Sequence, residues 1–220
     1  MAELILYMSP GTCSRVTMTA LEEIGVPFED RLIFTGAGAQ NSAEYLAVNR
    51  KGKVPALSVD GQVLTENPAI LAYLDEQHPA AGLLPRGDDP LVRAQGLSDM
   101  AWCSSTLHIN VRQIRNPLRL TARDPDGVRE DGLKKLAKEC EYISGRVGDG
   151  WWYGSTWSIV DTYVYWAYST AAGGGFPVGD HPVLTAHAER VRARPSFQRM
   201  LDRERAAVER ARLPIDPSGL

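Results

Sequence analysis

Residues 9–25, SPGTCSRVTMTALEEIG, decide the fold of the first part of the chain. The Pro-Gly pair predicts a turn between a strand over 4–7 and a helix over 14–24. Cys13 stands where the turn meets the helix, at the end that carries unpartnered backbone N–H groups and the positive pole of the helix dipole. Both favour the thiolate, so we expect Cys13 to be reactive, with a pKa below the free value of about 8.5. The alternative is a small packing residue buried under the turn.

The order strand, helix, strand continues outward from this stretch and predicts a parallel strand pair. We predict a strand over 28–34, a helical turn over 42–48, strands over 54–59 and 62–64 joined by the hairpin signal Asp60-Gly61, and a helix that begins at Asn67 with Pro68 at its first position.

The stretch PAAGLLPRGDD, residues 79–89, is the predicted linker because it combines proline, glycine and aspartate in turn contexts. The rest of the chain has a helical pattern, over about 90–120, 129–147, 159–171, 182–193 and 196–211. We therefore predict an α/β domain over residues 1–80 and an all-helical domain over 90–220. Ser158-x-x-Asp161 predicts a capping box in the second of these domains.

The composition is that of an ordinary globular protein, with 220 residues, 44% hydrophobic content and a net charge of −3. This charge offers no basic surface for nucleic acid or anionic lipid. No apolar stretch reaches the roughly 18 residues of a membrane helix, and the start MAELILYMS lacks the basic region of a signal peptide. We expect no nucleic-acid or membrane partner.

The cysteines, Cys13, Cys103 and Cys140, are odd in number and have no metal-like spacing. We therefore expect neither a disulfide framework nor a metal site, and a reducing cytoplasm as the location of the protein. CSRV lacks the second cysteine of a Cys-x-x-Cys motif, which argues against a dithiol mechanism.

Lys53-Val54-Pro55 places a proline at the entry of a predicted strand. If the bond before Pro55 is cis, Val54 turns outward and its backbone can pair with an extended peptide. A proline that merely starts a strand is the alternative.

Glu66 and Asn67 precede Pro68 at a predicted helix start. They fit a capping asparagine with an acidic residue near the positive helix end. They also fit a site for an α-amino-acid group, with its ammonium at Glu66 and its carboxylate at the helix N-terminus. Both interpretations stay open on these residues alone.

The order of PGTCS, ALEEIG, NRKGKVPAL and LTENPAILAYL resembles the thioredoxin-like glutathione-binding domain of glutathione S-transferases. It is most similar to the bacterial beta class, whose first turn reads Pro-Gly-Ala-Cys-Ser. The resemblance covers nearly the whole chain and is strongest over residues 1–80. It implies an α/β plus all-α fold, with a thioredoxin-like glutathione-binding domain over 1–80 and a helical electrophile-binding domain over 90–220.

The resemblance also implies roles for individual residues. It matches Cys13 with the cysteine at the glutathione sulfur, Lys53 with a residue beside the peptide, Val54 with the residue whose backbone pairs with the cysteinyl unit, Pro55 with the cis-proline, and Glu66 and Asn67 with the Glu-Ser pair that holds the γ-glutamyl group. His108, in WCSSTLHINV, matches a histidine that faces the glutathione site. Asn67 stands where the family has serine, and Thr106 stands where the beta class has an acidic residue, so Asp99 is the candidate for a carboxylate contact between subunits.

These matches imply a cytoplasmic homodimeric transferase in detoxification, which joins its cosubstrate glutathione to small hydrophobic electrophiles and exchanges disulfides through Cys13. Tyr7 and Ser14 are rival activators of the glutathione sulfur, because other transferase classes use a hydroxyl group in this region. A glutathione-dependent isomerase, dehalogenase or ether-cleaving lyase would share the same site. A non-catalytic ligand-binding protein of the same fold is the alternative of another class.

Overall fold

The computed structural model describes residues 2–215, and its elements begin with a buried strand that leads into the Pro-Gly turn. The strands are β1 (Leu4–Met8), β2 (Glu29–Leu32), β3 (Ala56–Val59) and β4 (Gln62–Thr65). The helices of the described residues are α1 (Ser14–Ile24), α2 (Ala43–Val48), α3 (Asn67–Gln77), α4 (Pro90–Trp102), α5 (His108–Arg115), α6 (Pro125–Val147), α7 (Ile159–Ala172), α8 (Pro182–Arg192) and α9 (Pro195–Ala211). A π-helical turn, Cys103–Leu107, lies between α4 and α5.

The strands form one four-stranded sheet in the order β2-β1-β3-β4. β1 pairs in parallel with β2 and antiparallel with β3, as expected when a helix connects the first pair. Asp60 and Gly61 both have positive φ, 49° and 83°, in the tight connection between β3 and β4. This sheet with its helices confirms the predicted thioredoxin-like arrangement of the N-terminal residues.

Backbone contacts divide the protein into two compact units. The described residues of Met1–Leu83 and Arg194–Leu220 form the first unit, and Leu84–Ala193 form the second. The predicted domain bounds, 1–80 and 90–220 with a linker over 79–89, differ from this division in the place of α9, which belongs to the first unit. The helical pattern of α9 predicts a helix but carries no signal for the surface on which it packs.

Ion pairs explain why α9 belongs to the first unit. Arg203 donates to Glu22 of α1 at 2.8 Å, and its guanidinium lies 4.0 Å from the centre of the Phe28 ring. Arg199 also donates to Glu22, at 3.1 Å, and Arg210 donates to Asp30. The apolar face of α9 is buried at Phe197, Met200, Leu201, Ala207 and Val208.

The second unit contains two buried carboxylates, Asp161 at the start of α7 and Asp99 on α4. Asp161 accepts hydrogen bonds from the Ser158 backbone at 2.8 Å and from the Trp152 backbone at 2.7 Å. The predicted capping box is present. Asp99 is 7% exposed and accepts from Trp152 Nε1 at 2.8 Å and from the Tyr153 hydroxyl at 2.6 Å. Asp99 therefore serves the packing of its own unit, and a carboxylate contact between subunits at Asp99 stays a prediction.

No helix within residues 2–215 combines the length and the apolar character needed to cross a membrane.

Candidate functional site

The turn before α1 is closed by hydrogen bonds within residues 9–16. The Thr12 carbonyl accepts from Arg15 N at 3.1 Å, and the Cys13 carbonyl accepts from Val16 N at 3.2 Å. The Thr12 hydroxyl accepts from Ser14 N at 3.3 Å. The first N–H groups of α1 therefore have partners, and the expectation that they lie open beside Cys13 is wrong. Cys13 is the N-cap residue, but its side chain makes no capping bond.

The Cys13 thiol faces the loop that leads into β3. Cys13 is 5% exposed, and its Sγ donates to the Val54 carbonyl oxygen at 3.5 Å. The contact brings together two of the residues that the sequence analysis assigned to one site.

Cys103 and Cys140 lie in the second unit and are fully buried. Burial, followed by the nearby carboxylates of Asp99 and Asp161, raises the pKa of Cys103 well above its usual value. Burial raises the pKa of Cys140 to about 12. Both thiols are therefore protonated near neutral pH and have little nucleophilic character.

In the loop before β3, the Lys53 carbonyl accepts hydrogen bonds from two side chains that the sequence did not indicate. The Tyr45 hydroxyl and Asn49 Nδ2 both donate to the Lys53 carbonyl oxygen at 2.7 Å. Burial raises the pKa of Tyr45 to about 12, so its hydroxyl is a donor at neutral pH. The only sequence signal for these residues is the predicted helical turn over 42–48. In the structure α2 spans Ala43–Val48, and Asn49 is its C-cap residue.

The Val54-Pro55 bond is cis, which is the condition set for an outward-turned Val54. Val54 is half-buried and Pro55 is buried, whereas the Lys53 side chain is exposed. Within residues 2–215 the Val54 N–H has no acceptor. The peptide unit at Val54 therefore offers a donor as well as a carbonyl acceptor to an extended ligand.

Glu66 lies at the N-cap of α3 with a φ of 73°, which is unusual for a residue with a side chain. Lys51 Nζ donates to Glu66 Oε1 at 2.8 Å and to the Thr65 hydroxyl at 2.9 Å. Both charged side chains are about half exposed, 40% for Lys51 and 52% for Glu66. An ammonium group thus already contacts the carboxylate that the sequence analysis assigned to a ligand ammonium.

Asn67 is the first residue of α3, and its side chain is directed into the protein. It is 4% exposed, accepts from the Thr17 hydroxyl at 2.6 Å and donates to the Cys13 carbonyl at 3.1 Å. The interpretation of Asn67 as the α3 cap is wrong, since Glu66 occupies that position. The carboxamide instead links α3 to the turn that carries Cys13.

His108 lies in the second unit, at the start of α5 and directly after the π-helical turn. It is half-buried, and its ring meets Trp166 edge-on with 4.7 Å between ring centres. Cys13, Lys53, Val54, Pro55, Glu66 and Asn67 all belong to the first unit.

The two rival hydroxyl groups are buried. The Tyr7 hydroxyl accepts from Arg31 Nη1 at 3.3 Å, and its ring packs on Tyr45 in an apolar cluster with Ile5. The Ser14 hydroxyl lies 2.8 Å from the Thr12 hydroxyl inside the closed turn, and Ser14 is 0% exposed. Neither hydroxyl is displayed to a ligand as the Val54 backbone is.

A carboxylate from the last helix holds the turn from its other side. Glu204 of α9 accepts from Gly11 N at 2.9 Å and from Arg15 Nη2 at 2.6 Å. Arg15 Nε donates to the same carboxylate at 3.0 Å. The Glu204 side chain is 0% exposed, and the Arg15 side chain is 14% exposed.

The described residues contain no group of three His, Cys, Asp or Glu side chains that could hold a metal ion.

Comparisons with known proteins identify the family. Residues 2–76 match the model of the glutathione S-transferase N-terminal domain. Over 164 residues the chain is 30% identical to the maleylacetoacetate isomerase of Pseudomonas aeruginosa, which covers 73% of this chain and 76% of that protein. The chain belongs to the glutathione S-transferase family.

Solved structures of glutathione transferases share its fold. A glutathione transferase homologue from Sulfitobacter, solved with bound glutathione, superimposes with a TM-score of 0.83 at 28% identity and covers 92% of this chain and 99% of that chain. The beta-class glutathione S-transferase of Sphingomonas chungbukensis gives a TM-score of 0.78 at 28% identity, over 91% of this chain and 98% of that chain. The predicted family, fold class and enzyme class are thereby confirmed, and glutathione is the cosubstrate of this transferase family.

The first prediction concerns the Glu204 clamp. Glu204→Gln removes the charge opposite the largely buried Arg15, and we expect the free energy of unfolding to fall by about 3 kcal/mol. Urea denaturation at constant slope measures this change. The control is Asp202→Asn on the same helix, which breaks an exposed ion pair with Arg205. A Glu204→Gln midpoint equal to that of Asp202→Asn would show that the clamp contributes nothing.

Proposed function

We propose that this transferase joins the thiol of glutathione to small hydrophobic electrophiles, and that Cys13 can exchange with glutathione disulfides. The observation that carries the proposal is the 3.5 Å contact between Cys13 Sγ and the carbonyl of Val54, whose N–H has no acceptor within residues 2–215. A peptide that pairs with Val54 through its cysteinyl residue brings its own sulfur to Cys13.

Pairing with the peptide also changes the environment of Cys13. The cysteinyl N–H of glutathione donates to the Val54 carbonyl, which in the free protein accepts from the Cys13 thiol. A carbonyl oxygen can accept two hydrogen bonds, so the peptide N–H joins the thiol at this carbonyl. Binding of glutathione thus brings a second sulfur to the carbonyl that the Cys13 thiol already contacts.

The exchange reaction needs no further reagent. The Cys13 thiolate attacks one sulfur of oxidised glutathione, the sulfur-sulfur bond of that molecule breaks, and a bond between Cys13 Sγ and one glutathionyl sulfur forms. The other half leaves as the glutathione thiolate and takes up a proton from water. A second glutathione thiolate reverses the modification and releases Cys13.

Glutathione-dependent isomerisation is the second candidate, because the relative from Pseudomonas aeruginosa is a maleylacetoacetate isomerase. An isomerase would use the same glutathione site and return glutathione unchanged. Dehalogenation and ether cleavage also share the site and differ in the electrophile. Rates with a cis-α,β-unsaturated keto acid, an aryl halide and an aryl ether, each with glutathione, distinguish these activities.

A non-catalytic ligand-binding protein of this fold has no need for a thiol at the Val54 backbone. Retention on a glutathione-affinity column without turnover of any of these electrophiles would favour that alternative.

We further propose a cytoplasmic location, a role in detoxification, Lys53 beside the bound peptide and His108 as a catalytic residue, all of which rest on the resemblance to the beta class.

Glu66 is expected to hold the ammonium of the γ-glutamyl group. Glu66→Ala should weaken glutathione binding by about 1.5 to 3 kcal/mol, the usual contribution of a charge-assisted hydrogen bond. Isothermal titration calorimetry measures the affinity. An unchanged affinity would contradict the assignment of Glu66.

Lys51→Met is the companion variant, because Lys51 contacts the Glu66 carboxylate that the ligand ammonium needs. Since an exposed ion pair contributes up to about 1 kcal/mol, its removal should tighten glutathione binding by up to about fivefold. The matched control is Lys134→Met, which breaks an exposed pair with Glu130 in the second unit.

Oxidised glutathione should load one glutathionyl group onto the protein, at Cys13. Cys103 and Cys140 should stay unmodified because burial keeps both thiols protonated. Cys13→Ala should abolish exchange, whereas conjugation of an aryl halide survives if neighbouring donors stabilise the glutathione thiolate. Peptide mass spectrometry locates the modification, and a label on Cys103 or Cys140 with Cys13 unmodified would refute the assignment.

A homodimer is expected, with the helix over 67–78 of one subunit against the region 90–120 of the other. Exposed apolar side chains in that region, Leu91 at 72% and Ile109 at 50%, support burial by a partner. Sedimentation at micromolar concentration should give twice the mass of the chain. A species with the mass of one chain would rule the dimer out under these conditions.

A further inference from the structure

The side chain of Asn67 joins the N-terminal ends of two helices. Its Oδ1 accepts from the Thr17 hydroxyl at 2.6 Å, and its Nδ2 donates to the Cys13 carbonyl at 3.1 Å. Asn67 is 4% exposed and Thr17 is 0% exposed, so neither group has ready access to water. Both bonds therefore form inside the protein, where a missing partner is costly.

The two hydrogen bonds of the Asn67 side chain, called the Asn67 bridge below, require a carboxamide. An asparagine side chain presents an acceptor and a donor on one rigid plane, so it can satisfy a hydroxyl and a carbonyl at the same time. Serine, which the beta class has at this position, carries one shorter hydroxyl group and cannot span both partners. Asparagine in place of the family's serine thus has a partner in α1, the Thr17 hydroxyl, which donates to the carboxamide.

The bridge fixes the carbonyl end of the reactive residue. Gly11 N is held by Glu204 before Cys13, and the Cys13 carbonyl is held by Asn67 after it. Both sides of the turn are thus held where the Cys13 thiol donates to the Val54 carbonyl. The Asn67 carboxamide therefore affects the position of the Cys13 thiol by holding the Cys13 backbone carbonyl, and this effect needs no contact with a ligand.

We propose that Asn67 is a positioning residue for Cys13, and that its side chain does not bind the γ-glutamyl group. The inference rests on the proposed function, in which Cys13 meets the sulfur of glutathione. Glu66 then carries the side-chain contribution to γ-glutamyl binding. Asn67 determines how well the Cys13 thiol is aligned with that sulfur.

The experiment compares Asn67→Ser with the wild-type chain in two measurements. Calorimetry gives the affinity for reduced glutathione, and mass spectrometry gives the rate of modification of Cys13 by saturating oxidised glutathione. We expect the affinity to change by less than about threefold and the rate at saturation to fall by about tenfold or more, as the loss of buried hydrogen bonds to Cys13 and Thr17 would produce. Across a range of oxidised glutathione concentrations, the maximal rate of modification falls, and the concentration that gives half of this rate stays near its wild-type value.

Thr17 supplies the matched pair of variants, since its side chain contacts Asn67 and lies inside the protein. Thr17→Ser keeps the hydroxyl donor and should keep the wild-type exchange rate. Thr17→Val removes this donor, so the Asn67 carboxamide loses a hydrogen bond that orients it and exchange should be slower. Because Asn67 and Thr17 act through one bridge, the double variant Asn67→Ser with Thr17→Val should be no slower than Asn67→Ser alone. This pair also tests the inference if Asn67→Ser folds poorly.

A different pattern overturns the inference. If Asn67→Ser weakens glutathione binding by more than about tenfold and leaves exchange at saturation unchanged, Asn67 is a ligand residue and not a positioning residue. If the wild-type chain exchanges at Cys13 and Asn67→Ser matches it in both measurements, the positioning role alone is refuted. If the wild-type chain neither binds glutathione nor reacts at Cys13, the proposed function itself fails.

Discussion

The buried carboxylate of Glu204 is the contact on which the geometry of the site depends. It accepts from the Gly11 backbone and from Arg15, and so connects the last described helix to the turn that precedes Cys13. A carboxylate at 0% exposure is stable only because donors surround both of its oxygen atoms. The same donors hold the turn, so the packing of α9 in the first unit and the placement of the thiol depend on the same contacts.

The site is built from backbone groups that side chains hold in place. Tyr45 and Asn49 hold the Lys53 carbonyl, and Asn67 holds the Cys13 carbonyl. Such support holds the loop and the turn without using the Val54 N–H, which within residues 2–215 has no acceptor. Preorganisation of this kind lowers the entropic cost of binding a flexible tripeptide. The Cys13 thiol already contacts the carbonyl of this peptide unit, so a peptide that pairs there lies beside the sulfur.

The sequence predicted the fold from local signals that the structure bears out. The Pro-Gly turn, the Asp60-Gly61 connection and the apolar spacing over 14–24 depend on neighbouring residues, and α1 has the predicted bounds Ser14–Ile24. The sequence did not predict the partner of α9, because an amphipathic helix shows which face is buried but not against what. It also missed Glu204, which is distant in the chain from Gly11 and is one acidic residue among many on a charged helix.

For the site, the sequence identified residues but not the directions of their side chains. Cys13 and Val54 do meet, yet the N–H groups expected beside Cys13 are taken by Thr12 and by the Cys13 carbonyl. Asn67 lies at the predicted start of a helix, but its side chain is directed into the protein and not toward a ligand. Such differences arise because a hydrogen-bonding side chain has several partners of similar energy, and the choice among them is made by tertiary packing.

A crystal structure of the chain with reduced glutathione tests the central claim most directly. The account predicts that the cysteinyl backbone pairs with the N–H and C=O of Val54, that the glutathione sulfur contacts Cys13 Sγ, and that the Asn67 carboxamide keeps its bonds to Thr17 and to the Cys13 carbonyl. Glutathione bound away from Val54, or an Asn67 side chain turned out to contact the γ-glutamyl group, would contradict it.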